Sequence, residues 1–177
     1  MKPQFRLGII IFLFFHSLSC LGQSNDSLVS SPKKNAIFTE ILSGPEFYSL
    51  NYQRIAFTTR QRKVSFTYKV GGTYLRSYQS VTFHSGIVVG KPNRSFEALM
   101  GVGYLTVDYS KTNRLYVEGF SLDPRTVFIA PQLGYRSQKL SNGFLFRATL
   151  MPWFTISPTV GRLRHTPGFG VSIGKAF

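Results

Sequence analysis

The feature that most constrains the fold is an alternation of large apolar residues with small or polar residues, which runs from Ala36 to Phe177. A period of two places successive side chains on opposite faces of a β-strand. In the last segment, for example, Phe169, Val171 and Ile173 share one face and small residues share the other. No segment of this region has the apolar spacing and caps of an amphipathic helix. The sequence therefore predicts an all-β fold.

The alternation divides into separate segments that predict eight strands, an even number. The predicted strands are Ala36–Ser43, Glu46–Phe57, Lys63–Leu75, Ser80–Gly90, Ser95–Tyr109, Thr126–Arg136, Gly143–Phe154 and Gly168–Phe177. The connections after the second, fourth and sixth strands are short, whereas Ser110–Arg125 and Thr155–Pro167 are the longest. Outer-membrane barrels have short periplasmic turns and longer external loops. This pattern favours an eight-stranded antiparallel up-and-down transmembrane β-barrel with a filled polar lumen.

Strand length and the placement of aromatic residues favour the same fold. A tilted strand needs about 9–11 residues to cross a bilayer, whereas strands of soluble proteins average about 5–6. Aromatic residues near strand ends are expected to form girdles at the membrane interfaces. They are Phe47, Tyr48, Phe57, Tyr74, Tyr78, Tyr104, Tyr109, Trp153, Phe154 and Phe177. Because alternation also fits a soluble fold, a secreted soluble β-barrel that binds an apolar ligand stays an alternative.

The N-terminal segment predicts export. Lys2 and Arg6 precede the apolar run Leu7–Phe15, and small residues follow, as in a secretory signal peptide over residues 1–22. The apolar run is too short to span a bilayer as a helix. Removal of Cys20 with the signal peptide is the first interpretation, and its lipidation is the alternative.

Two further regions follow the predicted signal peptide. Residues 23–35 are polar and predict a flexible periplasmic leader, and residues 36–177 are the predicted barrel.

The chain has 21 Lys and Arg against 7 Asp and Glu, a net charge of +14. Such a charge suits nucleic acid or an anionic membrane, and export argues against nucleic acid. Since the cations are spread along the chain, we expect them to meet the phosphates of outer-membrane lipids and lipopolysaccharide at both rims.

Four stretches carry a family resemblance: Phe47-Tyr48-Ser49-Leu50-Asn51-Tyr52, Phe96-Glu97-Ala98-Leu99-Met100-Gly101-Val102-Gly103, Gly143-Phe144-Leu145-Phe146-Arg147 and Gly170-Val171-Ser172-Ile173-Gly174-Lys175-Ala176-Phe177. The chain resembles the small eight-stranded outer-membrane β-barrel proteins of Gram-negative bacteria, most of which are uncharacterised. The resemblance implies the barrel fold and no particular activity. It also implies that the barrel-assembly machinery reads the C-terminal pattern Phe169, Val171, Ile173 and Phe177 during biogenesis.

Charged residues at inward positions predict an ion-pair network. Alternation places Glu40, Lys69, Glu97, Arg136 and Arg147 on the face that lines the lumen. Eight strands leave an interior that side chains just fill, and a buried charge is costly without a partner. We therefore expect the two glutamates to face each other across the lumen and to be neutralised by the three bases, as a structural plug. A pathway for protons or ions is the alternative.

The sequence predicts no catalytic residue. His84 and His165 are the histidines of the predicted mature chain, and some outer-membrane barrel enzymes use a His with a Ser and an acid, so a lipid-modifying enzyme on this scaffold is an alternative. Ser85 follows His84 directly and must point to the opposite face of its strand. With Cys20 as the single cysteine, no cysteine-based zinc site is expected, and no motif predicts another metal or a cofactor. The leading interpretation is a monomeric membrane barrel with a structural or surface-interaction role.

Overall fold

The computed structural model describes residues 33–43, 46–59, 64–75, 77–91, 93–108, 125–156 and 163–177. The predicted signal peptide, Cys20 and residues 23–32 of the leader lie outside the described residues and stay predictions. Within the described ranges, no helix has the length and apolar character needed to cross a membrane.

The described residues form β-strands joined in one sheet. The strands are β1 (Asn35–Ser43), β2 (Glu46–Thr58), β3 (Val64–Tyr74), β4 (Tyr78–Lys91), β5 (Arg94–Val107), β6 (Arg125–Gln138), β7 (Phe144–Leu150), β8 (Trp153–Ile156), β9 (Leu163–Thr166) and β10 (Phe169–Ala176). The first six lie within a few residues of their predicted bounds.

The sheet closes into a barrel. Each strand from β1 to β6 pairs antiparallel with the next one in the chain. Strand β10 lies between β7 and β1 and pairs with both. The ring therefore runs through β1 to β7 and β10, so the predicted eight-stranded antiparallel up-and-down barrel is confirmed.

Prolines separate the strands near the C-terminus. The predicted strand Gly143–Phe154 divides at Pro152 into β7 and β8, and Pro167 separates β9 from β10. Proline has no backbone N–H to donate to a ladder. Strand β8 continues the pairing with β6, and β9 pairs with β8. The prediction of a loop over Thr155–Pro167 was therefore wrong for β9 and for the end of β8.

The end of the barrel at which β1 begins and β10 ends is called the terminal rim here, and the opposite end is the loop rim. At the terminal rim, the Asn35 N–H donates to the Phe177 carbonyl at 3.1 Å, and the Phe177 N–H donates to the Asn35 carbonyl at 2.8 Å. The turns from β2 to β3, from β4 to β5 and from β6 to β7 are at this rim, because the strands alternate in direction.

Side chains fill the lumen, which has polar residues in its middle and apolar clusters towards each end. The terminal cluster consists of Ala36, Phe38, Leu145 and Ala176. The upper cluster, on the side of the loop rim, consists of Leu105, Phe128, Ala130, Met151 and Trp153. Most of the large apolar side chains on the strands point outward instead and are exposed.

Trp153 does not belong to an interfacial girdle, contrary to the prediction. Its side chain is 1% exposed and its ring centroid lies 4.0 Å from that of Phe128 in the upper cluster. The reason is the alternation itself, because Trp153 is an even number of residues from Arg147 and shares its inward face. Tyr78 also packs partly against this cluster. Other predicted girdle residues are exposed, namely Tyr48, Phe57, Tyr74, Tyr104 and Phe177, while Phe154 is half-buried and the side chains of Phe47 and Tyr109 lie outside the described residues.

Candidate functional site

Five charged side chains from five strands meet in the middle of the lumen. This group, called the charged layer here, consists of Glu40 on β1, Lys69 on β3, Glu97 on β5, Arg136 on β6 and Arg147 on β7, all of them buried. Strand register explains part of the arrangement. Glu40 is opposite Ser172, Ser172 is opposite Arg147, and Arg147 is opposite Arg136. Adjacent walls therefore present these side chains at one level.

Glu97 is the most completely paired member of the layer. Its Oε2 accepts hydrogen bonds from Arg147 Nε at 2.8 Å and from Arg147 Nη2 at 2.5 Å. Its Oε1 lies 3.4 Å from Arg136 Nη1 and accepts a hydrogen bond from Gln53 Nε2 at 3.2 Å. Both carboxylate oxygens are therefore occupied, as a buried charge requires.

Glu40 is held more loosely. Its Oε2 lies 3.6 Å from Lys69 Nζ and 3.7 Å from Arg147 Nη1, and it accepts a hydrogen bond from Ser172 Oγ at 3.3 Å. Its Oε1 has no hydrogen-bond partner among the described residues. Arg147 thus contacts both acids, and its guanidinium carbon also lies 4.5 Å from the ring centroid of Phe38.

Three glutamines accept further hydrogen bonds from the cations of the charged layer. Lys69 Nζ donates to Gln132 Oε1 at 2.8 Å. Arg136 donates from Nη1 to Gln53 Oε1 at 3.2 Å and from Nη2 to Gln138 Oε1 at 2.7 Å. Hydrogen bonds of this kind lower the cost of burying cations.

The composition of the layer suits a plug. Three cations meet two carboxylates, and the apolar clusters lie on either side of them along the lumen. Such an arrangement can pair charges contributed by distant strands and fill the interior. Its role as a structural plug stays a prediction, and so does the alternative of an ion or proton pathway.

Sequence reasoning missed His84 as a member of the lumen. The side chain is 2% exposed, and neither ring nitrogen has a hydrogen-bond partner among the described residues. A Cβ atom at Gly101 would overlap the imidazole, so the glycine provides the space for the ring. The sequence contained a signal for this position. His84 is an even number of residues from Thr82 and Gly86 and therefore shares their face, whereas Phe83 and Ile87 lie on the opposite face.

Substitution of Gly101 tests this contact. We expect Gly101→Ala to lower the free energy of unfolding by about 1–3 kcal/mol, because the new methyl group forces the His84 ring to move in a packed interior. Urea unfolding of the purified folded protein measures the change. Combining Gly101→Ala with His84→Ala should restore part of the loss, whereas simple addition of the two single effects would contradict the contact.

The two histidines of the enzyme alternative lie in different places. His84 is inside the lumen with Ser85 on the opposite face of β4, and His165 is an exposed residue of β9 opposite Phe154. Over the described part of the chain, no group of three or more His, Cys, Asp or Glu side chains could hold a metal ion.

The predicted assembly signal lies on one face of β10 and just beyond it. Phe169, Ile173 and Phe177 are exposed on the outer wall, and Val171 is half-buried. Their recognition by the barrel-assembly machinery stays a prediction.

Comparisons with known proteins give one similar structure. No protein-family model and no curated protein matches the sequence. The chain is similar to the backbone structure of the Yersinia pestis outer membrane protein Ail in a phospholipid bilayer nanodisc, at 12% identity and a TM-score of 0.40. The alignment covers 80% of this chain and 99% of that chain.

Proposed function

We propose that the protein is an integral outer-membrane β-barrel with a structural or surface-interaction role, acting as a monomer. The observation that carries the proposal is the inverted distribution of side chains. Large apolar residues are exposed on the outer wall, while Glu40, Lys69, Glu97, Arg136 and Arg147 are buried inside. A barrel in water is expected to have the reverse distribution.

The exposed apolar surface continues around the wall. Leu50 on β2, Val81 on β4, Met100 on β5, Leu133 on β6 and Leu150 on β7 are each 59–63% exposed. In soluble proteins, a large contiguous exposed apolar surface indicates a contact with another protein or with a membrane. A lipid-facing apolar band is the expected exterior of a membrane barrel, and closure satisfies the backbone hydrogen bonds that lipid cannot.

The interior argues against the two alternative uses of a barrel. An apolar ligand needs an apolar cavity, whereas the middle of this lumen holds five charged side chains and several amides. Passage of solutes needs an open interior, and an eight-stranded ring leaves a space that side chains just fill. These features support a structural wall and leave any surface interaction to the rims.

Fractionation tests the membrane assignment. The protein should stay with the outer membrane after carbonate or urea washing, and the folded form should migrate differently from the heated form on a denaturing gel. Recovery in the soluble periplasmic fraction would contradict the proposal and favour a soluble barrel.

A charge on the outer wall gives opposite expectations for lipid and water. We expect Met100→Arg to destabilise the barrel in vesicles by about 2–4 kcal/mol, because Met100 lies near the middle of β5 and the new charge would face hydrocarbon. The same charge introduced as Gln79→Arg, at an exposed site near the loop rim, should cost about 0–1 kcal/mol. Urea unfolding in lipid vesicles measures both variants. Equal, small effects would indicate that the wall faces water.

A further inference from the structure

An apolar groove crosses the outer wall above the terminal rim. Two lines of paired residues form most of it: Phe96, Tyr135 and Ala148 in one line, and Ala98, Leu133 and Leu150 in the next. The groove has a volume of about 540 Å³, within the range of about 300–1,000 Å³ that small-ligand sites occupy. The methyl groups of Ala98 and Ala148 leave the space that the larger neighbours enclose.

One end of the groove is held open by aromatic residues. Phe96 and Tyr135 make an edge-to-face contact, with ring centroids 5.7 Å apart and an angle of 67° between the rings. Edge-to-face pairs of this kind are a favoured arrangement of two aromatic rings. The groove therefore has a defined entrance on the side of the terminal rim.

Cations lie directly beyond that entrance. Arg94 is two residues below Phe96 on the same face of β5, and Lys139 follows the end of β6; both are exposed. Lys91 is paired with Arg94 across the turn, and the ammonium group of Lys33 lies close to Gly143 in the next turn. The sequences of these two turns contain no Asp or Glu. This part of the rim therefore carries positive charge without acidic neighbours in its turns.

We propose that this groove and the cations below it form a binding site for an anionic glycerophospholipid of the leaflet at the terminal rim. One acyl chain lies in the groove between Tyr135 and Leu150, and the phosphate is bound by Arg94 and Lys139. The proposal rests on the proposed membrane function, since a bilayer must surround the wall for a lipid to enter from the side.

The two parts of the site match the two parts of such a lipid. The distance along β5 from Arg94 to Ala98 is roughly 14 Å at about 3.4 Å per residue, so the headgroup contacts and the groove lie at successive depths of one leaflet. Guanidinium and ammonium groups bind phosphate well. Neutral lipids could fill the groove with their chains, but the cations favour a headgroup with net negative charge.

Fluorescence quenching by brominated lipids tests the site. The chain has one tryptophan, so a Trp153→Phe background allows a reporter to be introduced as Phe96→Trp at the groove. Phe57→Trp is the matched control, because Phe57 is also an exposed aromatic near the terminal rim, but on β2. Each reporter is placed in phosphatidylcholine vesicles that contain either brominated phosphatidylglycerol or brominated phosphatidylcholine as the quencher. Heat-modifiability on a gel verifies that every variant is folded.

We expect phosphatidylglycerol to bind beside the Phe96→Trp reporter roughly 25-fold more tightly than phosphatidylcholine, since Arg94 and Lys139 each contribute a factor of about five. The Phe57→Trp reporter should show a smaller preference although Arg60, Arg62 and Lys63 follow it in the sequence, because Phe57 does not line the groove that holds the acyl chain. Arg94→Gln with Lys139→Gln should remove the preference at the groove. Lys34→Gln with Arg54→Gln, which removes cations on the β1–β2 side of the rim, should leave it unchanged.

Filling the groove tests the acyl chain separately from the charges. Ala98→Leu with Ala148→Leu should abolish the preference at the Phe96→Trp reporter while Arg94 and Lys139 stay in place. An unchanged preference in this variant would overturn the groove as the site of the chain. Equal quenching by both lipids at both reporters would overturn the whole site. The site would also be overturned if the groove reporter became less quenched as the protein concentration increased, because a second copy of the chain would then cover the groove. Failure of every brominated lipid to quench either reporter would instead contradict membrane insertion itself.

Discussion

We expect Arg147→Met to lower the free energy of unfolding of the barrel by about 3–5 kcal/mol, because it removes one partner of a buried ion pair and leaves the other charge unpaired. Arg147 is 0% exposed, donates two hydrogen bonds to Glu97 and lies within ion-pair distance of Glu40. Without it, Glu97 keeps only Arg136 and Gln53, and Glu40 keeps Lys69 and Ser172. The methionine restores bulk but no charge.

Urea unfolding in vesicles of neutral lipid measures the loss, and Arg125→Met is the matched control. Arg125 is an exposed residue at the start of β6, where substitutions usually change stability by less than about 0.5 kcal/mol. Adding Glu97→Gln to Arg147→Met should cost less than the sum of the two single changes, because the two side chains are in contact. Equal, small effects of Arg147→Met and Arg125→Met would show that no buried pair exists.

Trp153→Ala is expected to destabilise the barrel by a similar amount, about 3–5 kcal/mol, the usual cost of truncating a large buried aromatic side chain. Trp153 packs against Phe128 in the upper cluster, on the side of the loop rim. Its removal leaves a cavity among side chains that the barrel walls keep apart, so collapse into the space is restricted.

The control for this change is Tyr74→Ala, since Tyr74 is 76% exposed on the outer wall. We expect a smaller loss there in the same urea experiment. Fluorescence gives an independent measurement: lipids brominated on the acyl chain should barely quench Trp153, whereas they should quench a reporter made by Met100→Trp in a Trp153→Phe background. Strong quenching of Trp153 by these lipids would place its ring on the outer wall and contradict the packing in the lumen.

The barrel and most of its inward residues could be predicted because both depend on local alternation. Once Ser, Thr and Gly identify one face of a strand, a charged residue an even number of positions away must share that face. That Glu97 and Arg147 share a face with small residues follows from this rule, and the prediction of a membrane barrel turns that face inward. The strand count needs only the turns between the segments.

What could not be predicted depends on contacts between strands. Phe128 and Trp153 are large residues on inward faces, and they fit because other walls are small at the same level. A Cβ atom at Gly103 would overlap the ring of Phe128. No local pattern records that complementarity between β5 and β6. The position of Trp153 near a strand end predicts a girdle residue, although alternation places it on the inward face. The apolar groove could not be predicted from the sequence for a similar reason, since only the register of three strands brings Ala98 and Ala148 together.

The charged layer also has a consequence for how the barrel is assembled. Its hydrogen bonds join residues distant in the chain: 44 residues separate Gln53 from Glu97, 63 separate Lys69 from Gln132, and 132 separate Glu40 from Ser172. A sheet that ended at β5 would present Glu97 without Arg136 and Arg147, and the inner face would need water to solvate its carboxylate. In the proposed membrane, insertion one hairpin at a time would therefore carry unpaired charge into lipid. The pairing of the charged layer is therefore complete only when β10 meets β1, and contacts of such long sequence separation are expected to make closure slow.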